Sequence, residues 1–288
     1  MDYSLLFGFE VLWNIPLITV VIVVAILYSL FIIKYSEFTM IPKQPLLFFL
    51  GLVLLILTAG SPIAVFSHLS TSLHMTQMSM LFFIIPPLLL LGTPEIVFQR
   101  IGKLPLILNV KIICYRPLIS HFIFALLFFL YHIPFILRIF SEHSSIHNWY
   151  LLILFILSFS IWRSITAPST VHSFNRRKKQ YAVLSGILLM PACLLIIFHA
   201  LLNGENNPFL TQITSNLCLP SHSSGFLFLP PPFNTRFDHA MAGILMLALH
   251  KLALVLVFHI GNKLDASHIK KIGLSGQSLS NRKTTSFK

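Results

Sequence analysis

The sequence predicts an all-α integral membrane protein, a seven-transmembrane-helix bundle with its N-terminus outside and its C-terminus inside. Three observations carry this. Of 288 residues, 56% are hydrophobic and only 10% are charged, where a soluble domain carries about 25% charged residues. Apolar stretches close to the ~20 residues that cross a ~30 Å hydrocarbon core recur along the whole chain. They should be helices, because lipid offers no hydrogen-bond partner to a broken backbone. Finally, the segments joining them alternate in basic charge, as orientation in a membrane requires.

Residues 1–14 contain Asp2 and Glu10 and no Lys or Arg. The positively charged start of a cleavable signal peptide is missing, so the first span, Ile15–Ile33, is expected to stay in the membrane. Lys34 and Lys43 precede the second span, Leu46–Phe66. The third, Leu73–Leu91, contains Pro86-Pro87 and stops at Gly92-Thr93-Pro94. Arg100, Lys103, Lys111 and Arg116 separate it from the fourth, Leu118–Leu137. The fifth is Trp149–Ile165, followed by Arg176, Arg177, Lys178 and Lys179. The sixth, Tyr181–Leu202, contains Pro191. The internal prolines are expected to kink spans three and six. The segment Asn203–Phe237, with Pro230-Pro231-Pro232, reads as an extended outer loop, and Asp238–Ile260 is the seventh span. Residues 1–262 therefore form one membrane domain, and 263–288 a Ser- and Lys-rich cytoplasmic tail expected to be disordered.

The net charge of +12 does not point to nucleic acid, since the basic clusters between spans are explained by topology. Contact with the lipid bilayer is what they imply. Cys114, Cys193 and Cys218 are far apart and form no C-x-x-C, which disfavours copper handling by a thiolate pair. There is no G-x-S-x-G, P-loop or H-E-x-x-H, and the chain reads as a non-enzyme.

Sorted by this topology, His68, His74, His132, His143, His147, His199, His222 and His239 fall at or beyond outer span ends. Met75, Met78, Met80, Met241 and Met246 fall in the outer halves of spans three and seven, and Asp238 opens span seven. His74 and Met78 are spaced i, i+4, as are His143 and His147, so each pair shares a helix face. Imidazole suits copper and zinc, and thioether sulfur selects Cu(I). The candidate metal-ligating set is His74, Met78, His132, His143, His147, Asp238 and His239, with copper as the ion. Taken singly, each histidine is as well explained as a helix-end residue at the membrane interface, and Asp238 as an N-cap of span seven. As a set they point to function, because ionisable groups in membranes are costly. His250 and Lys251 fall near mid-membrane, with no partner legible in the sequence.

These residues also carry a resemblance. His74-Met75-Thr76-Gln77-Met78 precedes Pro86-Pro87-Leu88-Leu89-Leu90-Leu91-Gly92-Thr93-Pro94. Tyr131-His132-Ile133-Pro134 ends span four, His143 and His147 enter span five, and Trp162 lies near its inner end. Asp238-His239-Ala240-Met241-Ala242-Gly243-Ile244-Leu245-Met246 opens span seven. In this order the chain resembles the seven-span CtaG family of cytochrome c oxidase assembly factors, of the Bacillus-like type, over about residues 1–260. It departs at Met78 and His239, where the family pattern has histidine and glutamine. It departs also at Ala242, where the pattern has the first of two glycines, and after Trp162, where Arg163-Ser164 replace an expected proline.

The resemblance implies a cell-membrane assembly factor for a haem-copper oxidase, with oxidase subunits or other assembly factors as partners. Transient copper holding at the outer face is the implied mechanism. Met78 in place of histidine is expected to favour Cu(I). Two alternatives stand beside it: a haem-binding electron carrier using His74 or His132 with His199 or His239, and a copper or small-solute transporter.

Overall fold

The computed structural model describes residues 13–39, 43–101, 117–167, 172–202 and 235–285. Among them the regular structure is entirely helical. In chain order the helices are α1 (Ile15–Thr39), α2 (Gln44–Leu55), α3 (Pro62–Ser67), α4 (Thr71–Ser79), α5 (Ile85–Gly92) and α6 (Glu95–Ile101). There follow α7 (Pro117–Tyr131), α8 (Pro134–Glu142), α9 (Ser144–Thr166), α10 (His172–Leu201) and α11 (Arg236–Thr285). π-helical turns extend α2 over Ile56–Gly60 and join α4 to α5 over Met80–Ile84.

Five helical stretches are long and apolar enough to cross a membrane, and the pair α7–α8 makes a sixth if counted as one bent span. The expected second and fourth spans are not single continuous helices. Helix α2 with its π turn is a shorter apolar helix, Gln44–Gly60. It breaks at Ser61, whose backbone is extended (φ −111°, ψ 170°), before restarting at Pro62. Helices α7 and α8 meet at 77°. In both places a proline without an N–H ends the hydrogen-bond ladder. The Asn203–Phe237 loop, with His222, lies outside the described residues up to 234, as do Cys114, Cys218, Lys103, Lys111 and Arg116.

The centre of the bundle is the α4–π–α5 span. Of its most apolar window 83% is buried, against 11–39% for the other four long spans. It packs against α2, α9 and α11. Gly92 lets α2 approach its lower end, since a Cβ there would sit 2.7 Å from the Phe48 Cα. The Tyr28 hydroxyl donates to the Gly92 carbonyl at 2.5 Å. Gly243 does the same for α10 and α11: a Cβ would lie 2.8 Å from the Cys193 carbonyl. Ala242 beside it is fully buried, so the second position of the small pair is the one that needs glycine.

Two carbonyls that prolines deprive of their ladder partner are satisfied from a neighbouring helix. The Phe82 carbonyl would bond the amide of residue 86 in an α-helix or of residue 87 in a π-helix, and both are prolines. The Trp162 indole N–H on α9 donates to it instead, at 2.9 Å. The Thr58 carbonyl loses its α partner to Pro62 in the same way, and the Gln77 side-chain amide donates to it at 2.6 Å. Lipid could supply neither bond.

Helix α10 runs unbroken through Pro191. Helix α11 continues to Thr285. Residues 264–285 contain no proline to interrupt it.

Candidate functional site

One end of the bundle gathers imidazoles, a phenol and a carboxylate around the α3–α4 turn, Ser67–Thr71. Two polar groups share this end.

The first is built on α4, the α7–α8 bend and α9. The Tyr131 hydroxyl lies 2.8 Å from His74 Nε2 and 3.0 Å from His147 Nε2. A hydroxyl carries one proton, so Tyr131 donates to one imidazole and accepts from the other. The two rings are thereby held in complementary tautomers. His74, Tyr131 and His147 are all buried, and Tyr131 stacks on His147, Phe140 and Tyr150. The His68 ring lies 5.0 Å from that of His74. His68 sits in the turn outside the long spans, and burial pushes its pKa down to about 4, because a buried imidazolium loses its hydration. It is neutral at physiological pH.

His132 completes this group. The bend leaves its backbone N–H on the Phe129 carbonyl, which frees the Phe128 carbonyl to accept from the His132 side chain. Nδ1 lies 2.6 Å from that oxygen. A carbonyl only accepts, so Nδ1 carries the proton and Nε2 presents a bare lone pair. That Nε2 is buried and has no hydrogen-bond partner among the described residues. An imidazole fixed by an Nδ1–H bond to a carbonyl, with Nε2 open, is the arrangement of a metal-ligating histidine.

The second group is centred on Asp238 at the start of α11. Its carboxylate accepts from Ser70 Oγ at 2.7 Å, from the Thr71 amide at 2.9 Å, from the Ser72 amide at 3.2 Å and from the Ser72 hydroxyl. These amides are the first of α4, which have no partner within their own helix. Asp238 thus caps α4 from across the bundle, where the sequence allowed it to cap its own helix. A negative charge at that N-terminus is favoured by the helix dipole. His239 joins the same turn: Nδ1 donates to the Thr235 carbonyl and Nε2 accepts from Thr71 Oγ1, both at 3.2 Å. Its ring stacks with His199.

The seven residues expected to ligate metal are therefore divided. His74, His132 and His147 come together around Tyr131. Asp238 and His239 form the separate capping group, with both oxygens and both ring nitrogens in hydrogen bonds. Met78 lies a turn below His74 in the apolar core. His143 is exposed: it occupies the α8–α9 junction with non-helical dihedrals, so helical i, i+4 spacing does not bring it to His147's face. Among the described residues no group of three or more His, Cys, Asp or Glu is arranged to hold a metal ion. Of the residues postulated for haem, His74 and His132 flank Tyr131 while His199 and His239 lie together on the Asp238 side. The sequence-based site set omits His68 and Tyr131. Tyr131 was visible within Tyr131–Pro134; His68 precedes a chain reversal that spacing cannot follow.

The model for the family described as cytochrome c oxidase caa3 assembly factor (Caa3_CtaG) matches residues 26–260. That is most of the chain, and the chain belongs to this family. No curated protein and no solved structure matches it.

Proposed function

We propose that this member of the caa3 assembly-factor family serves the biogenesis of a haem-copper oxidase in the cell membrane, with cuprous copper as its cargo. The imidazole end of the bundle is the place where the ion is held. Seven apolar segments, two of them broken by prolines, thread the bilayer with the N-terminus outside. The basic clusters lie on the opposite side from the imidazoles, so the cargo end faces outward, where a dinuclear copper centre is loaded.

The observation that carries this reading is the His132 Nε2 lone pair, buried, oriented and without a partner among the described residues. Cu(I) is satisfied by two or three donors and takes imidazole readily. His132 supplies the first. His74 or His147 supplies the next by yielding its bond to Tyr131, a bond that reforms when the ion leaves. A cargo site needs this modest donor set, because a closed cage would hold copper too tightly to pass it on. Asp238 and His239 hold the turn above α4 in place and do not ligate. The chain acts as a holder and not as a catalyst.

Two measurements test this. Deletion of the gene should lower oxidase activity in host membranes while the oxidase polypeptides are still made; full activity would refute the assembly role. The purified protein in detergent should take up Cu(I) in competition with a chelator. His132→Ala should abolish uptake and His143→Ala should leave it intact. A wild type that binds no copper, or equal losses in both variants, would refute the cargo assignment.

A further inference from the structure

The face of α10 and α11 away from the imidazole site carries one charge that no described residue pairs with. Lys251 is exposed on α11, in the longest of the membrane-crossing stretches among the described residues, Arg236–Ser267. Its depth is fixed by two anchors on the same helix. Asp238, 13 residues earlier, is held in the α4 cap, and Asp265, 14 residues later, faces Lys178 at 3.8 Å at the other end. At 1.5 Å per residue Lys251 is ~20 Å from each, which is mid-bilayer for a core of ~30 Å. The lysine stem reaches about 6 Å, too short to bring the ammonium to either interface.

Among the described residues no neighbour neutralises it. Among the described residues the ion pairs are Arg138–Glu142, Arg163–Glu95 and Lys178–Asp265. The ammonium lies instead over Gly186 of α10, 3.1 Å from where a Cβ would be. Glycine there opens a slot that keeps the charge between the helices and facing outward. Around it Val183, Ile187 and Met190 of α10 and Ile244, Leu252 and Val255 of α11 are all exposed, an apolar face suited to a helix in lipid.

We propose that this face docks a transmembrane helix of the oxidase subunit under assembly, and that Lys251 pairs with a carboxylate buried midway along it. The partner class follows from charge and depth. Lipid headgroups lie at the interfaces, beyond the lysine's reach. A second copy of this chain cannot supply the counter-charge. Its eight carboxylates are Asp2, Glu10, Glu37, Glu95, Glu142, Glu205, Asp238 and Asp265, and none falls near the middle of an apolar segment. A bare lysine at this depth is costly, and intramembrane charges are paired. An assembly factor that must release its client suits a pairing made only in the complex. The proposal rests on the assembly reading for the identity of the client.

The test uses the full chain in host membranes, with a photo-crosslinking residue at Val255, one helical turn from Lys251. Irradiation should give an adduct with an oxidase subunit, and the cross-linked peptide should carry Asp or Glu within an apolar span. Lys251→Met and Lys251→Glu should lower the yield about tenfold or more, at equal protein level, and Lys251→Arg should keep it within about twofold. Changing the mapped carboxylate to Lys should restore the adduct with Lys251→Glu, a rescue that a folding defect in Lys251→Met cannot mimic. An adduct equally strong in Lys251→Met, adducts with lipid or a second copy alone, no adduct, or a cross-linked span without an acid would each overturn the proposal. A deletion strain with normal oxidase refutes the assembly reading; a Lys251-independent adduct with the oxidase refutes the docking alone.

Discussion

Replacing Trp162 with Phe should unsettle the centre of the bundle, because the indole N–H is the donor that the Phe82 carbonyl has in place of Pro86 and Pro87. Trp162 is only 2% exposed, so neither water nor lipid headgroups can take over. Leaving a buried carbonyl without a donor costs about 1–3 kcal/mol. The smaller ring adds a cavity term of about 1 kcal/mol, well below the 3–5 kcal/mol of a full truncation to Ala. The expected loss is about 2–4 kcal/mol, read from reversible unfolding in mixed detergent micelles. The hydrogen-bond part is separable. Pro86→Ala returns an amide at position 86, so Trp162→Phe should cost about 1 kcal/mol or more less in that background. An equal cost with and without Pro86 would show that Trp162 acts by filling space alone, and the account of the repaired π turn would be wrong.

Asp238→Asn keeps the shape of the cap but removes the charge that faces four donors, and should cost about 1–3 kcal/mol in the same unfolding measurement, with Ser70→Ala contributing little more once Asp238 is changed. His68 gives a pH dependence. Its folded pKa of about 4 lies below the usual 6.5, so the unfolded chain binds the proton more readily. The contribution is complete above pH 6.5 and falls as pH drops toward 4, to a total of about 3 kcal/mol. His68→Gln should flatten the stability profile in that window. Tyr131→Phe removes the bridge between His74 and His147 and should raise Cu(I) affinity, since the imidazole nitrogens no longer have to give up a hydrogen bond before ligating. Lower affinity in a chelator competition would make the Tyr131 hydroxyl a participant in binding.

Membrane helices were legible in the sequence because hydropathy over ~20 residues is a local property. The importance of Ser67–Pro94 was legible too, since that stretch alone pairs a ligand-rich half with a proline-marked apolar half, and it became the buried centre. Asp238, His74, His132 and His147 were recognisable as polar residues near span ends. What stayed hidden was how they divide. His74 and His147 are 73 positions apart, and Tyr131 joins them only because α7 and α9 pack side by side.

The sequence by itself determined the class of protein, the approximate extent of most spans and the family, through residues whose signal lies within one or two helical turns. Only the tertiary structure decided which carbonyls Trp162 and Gln77 would rescue, that Asp238 caps α4 instead of its own helix, and that His143 stands outside the cluster. It alone showed Lys251 facing outward, without a counter-charge among the described residues. The physical reason is that hydrophobic burial fixes a helix from its own residues, whereas a hydrogen bond or an ion pair needs a partner whose position is set by how separate helices pack. A proline announces where a backbone bond will be missing; only the packed bundle shows which side chain supplies it.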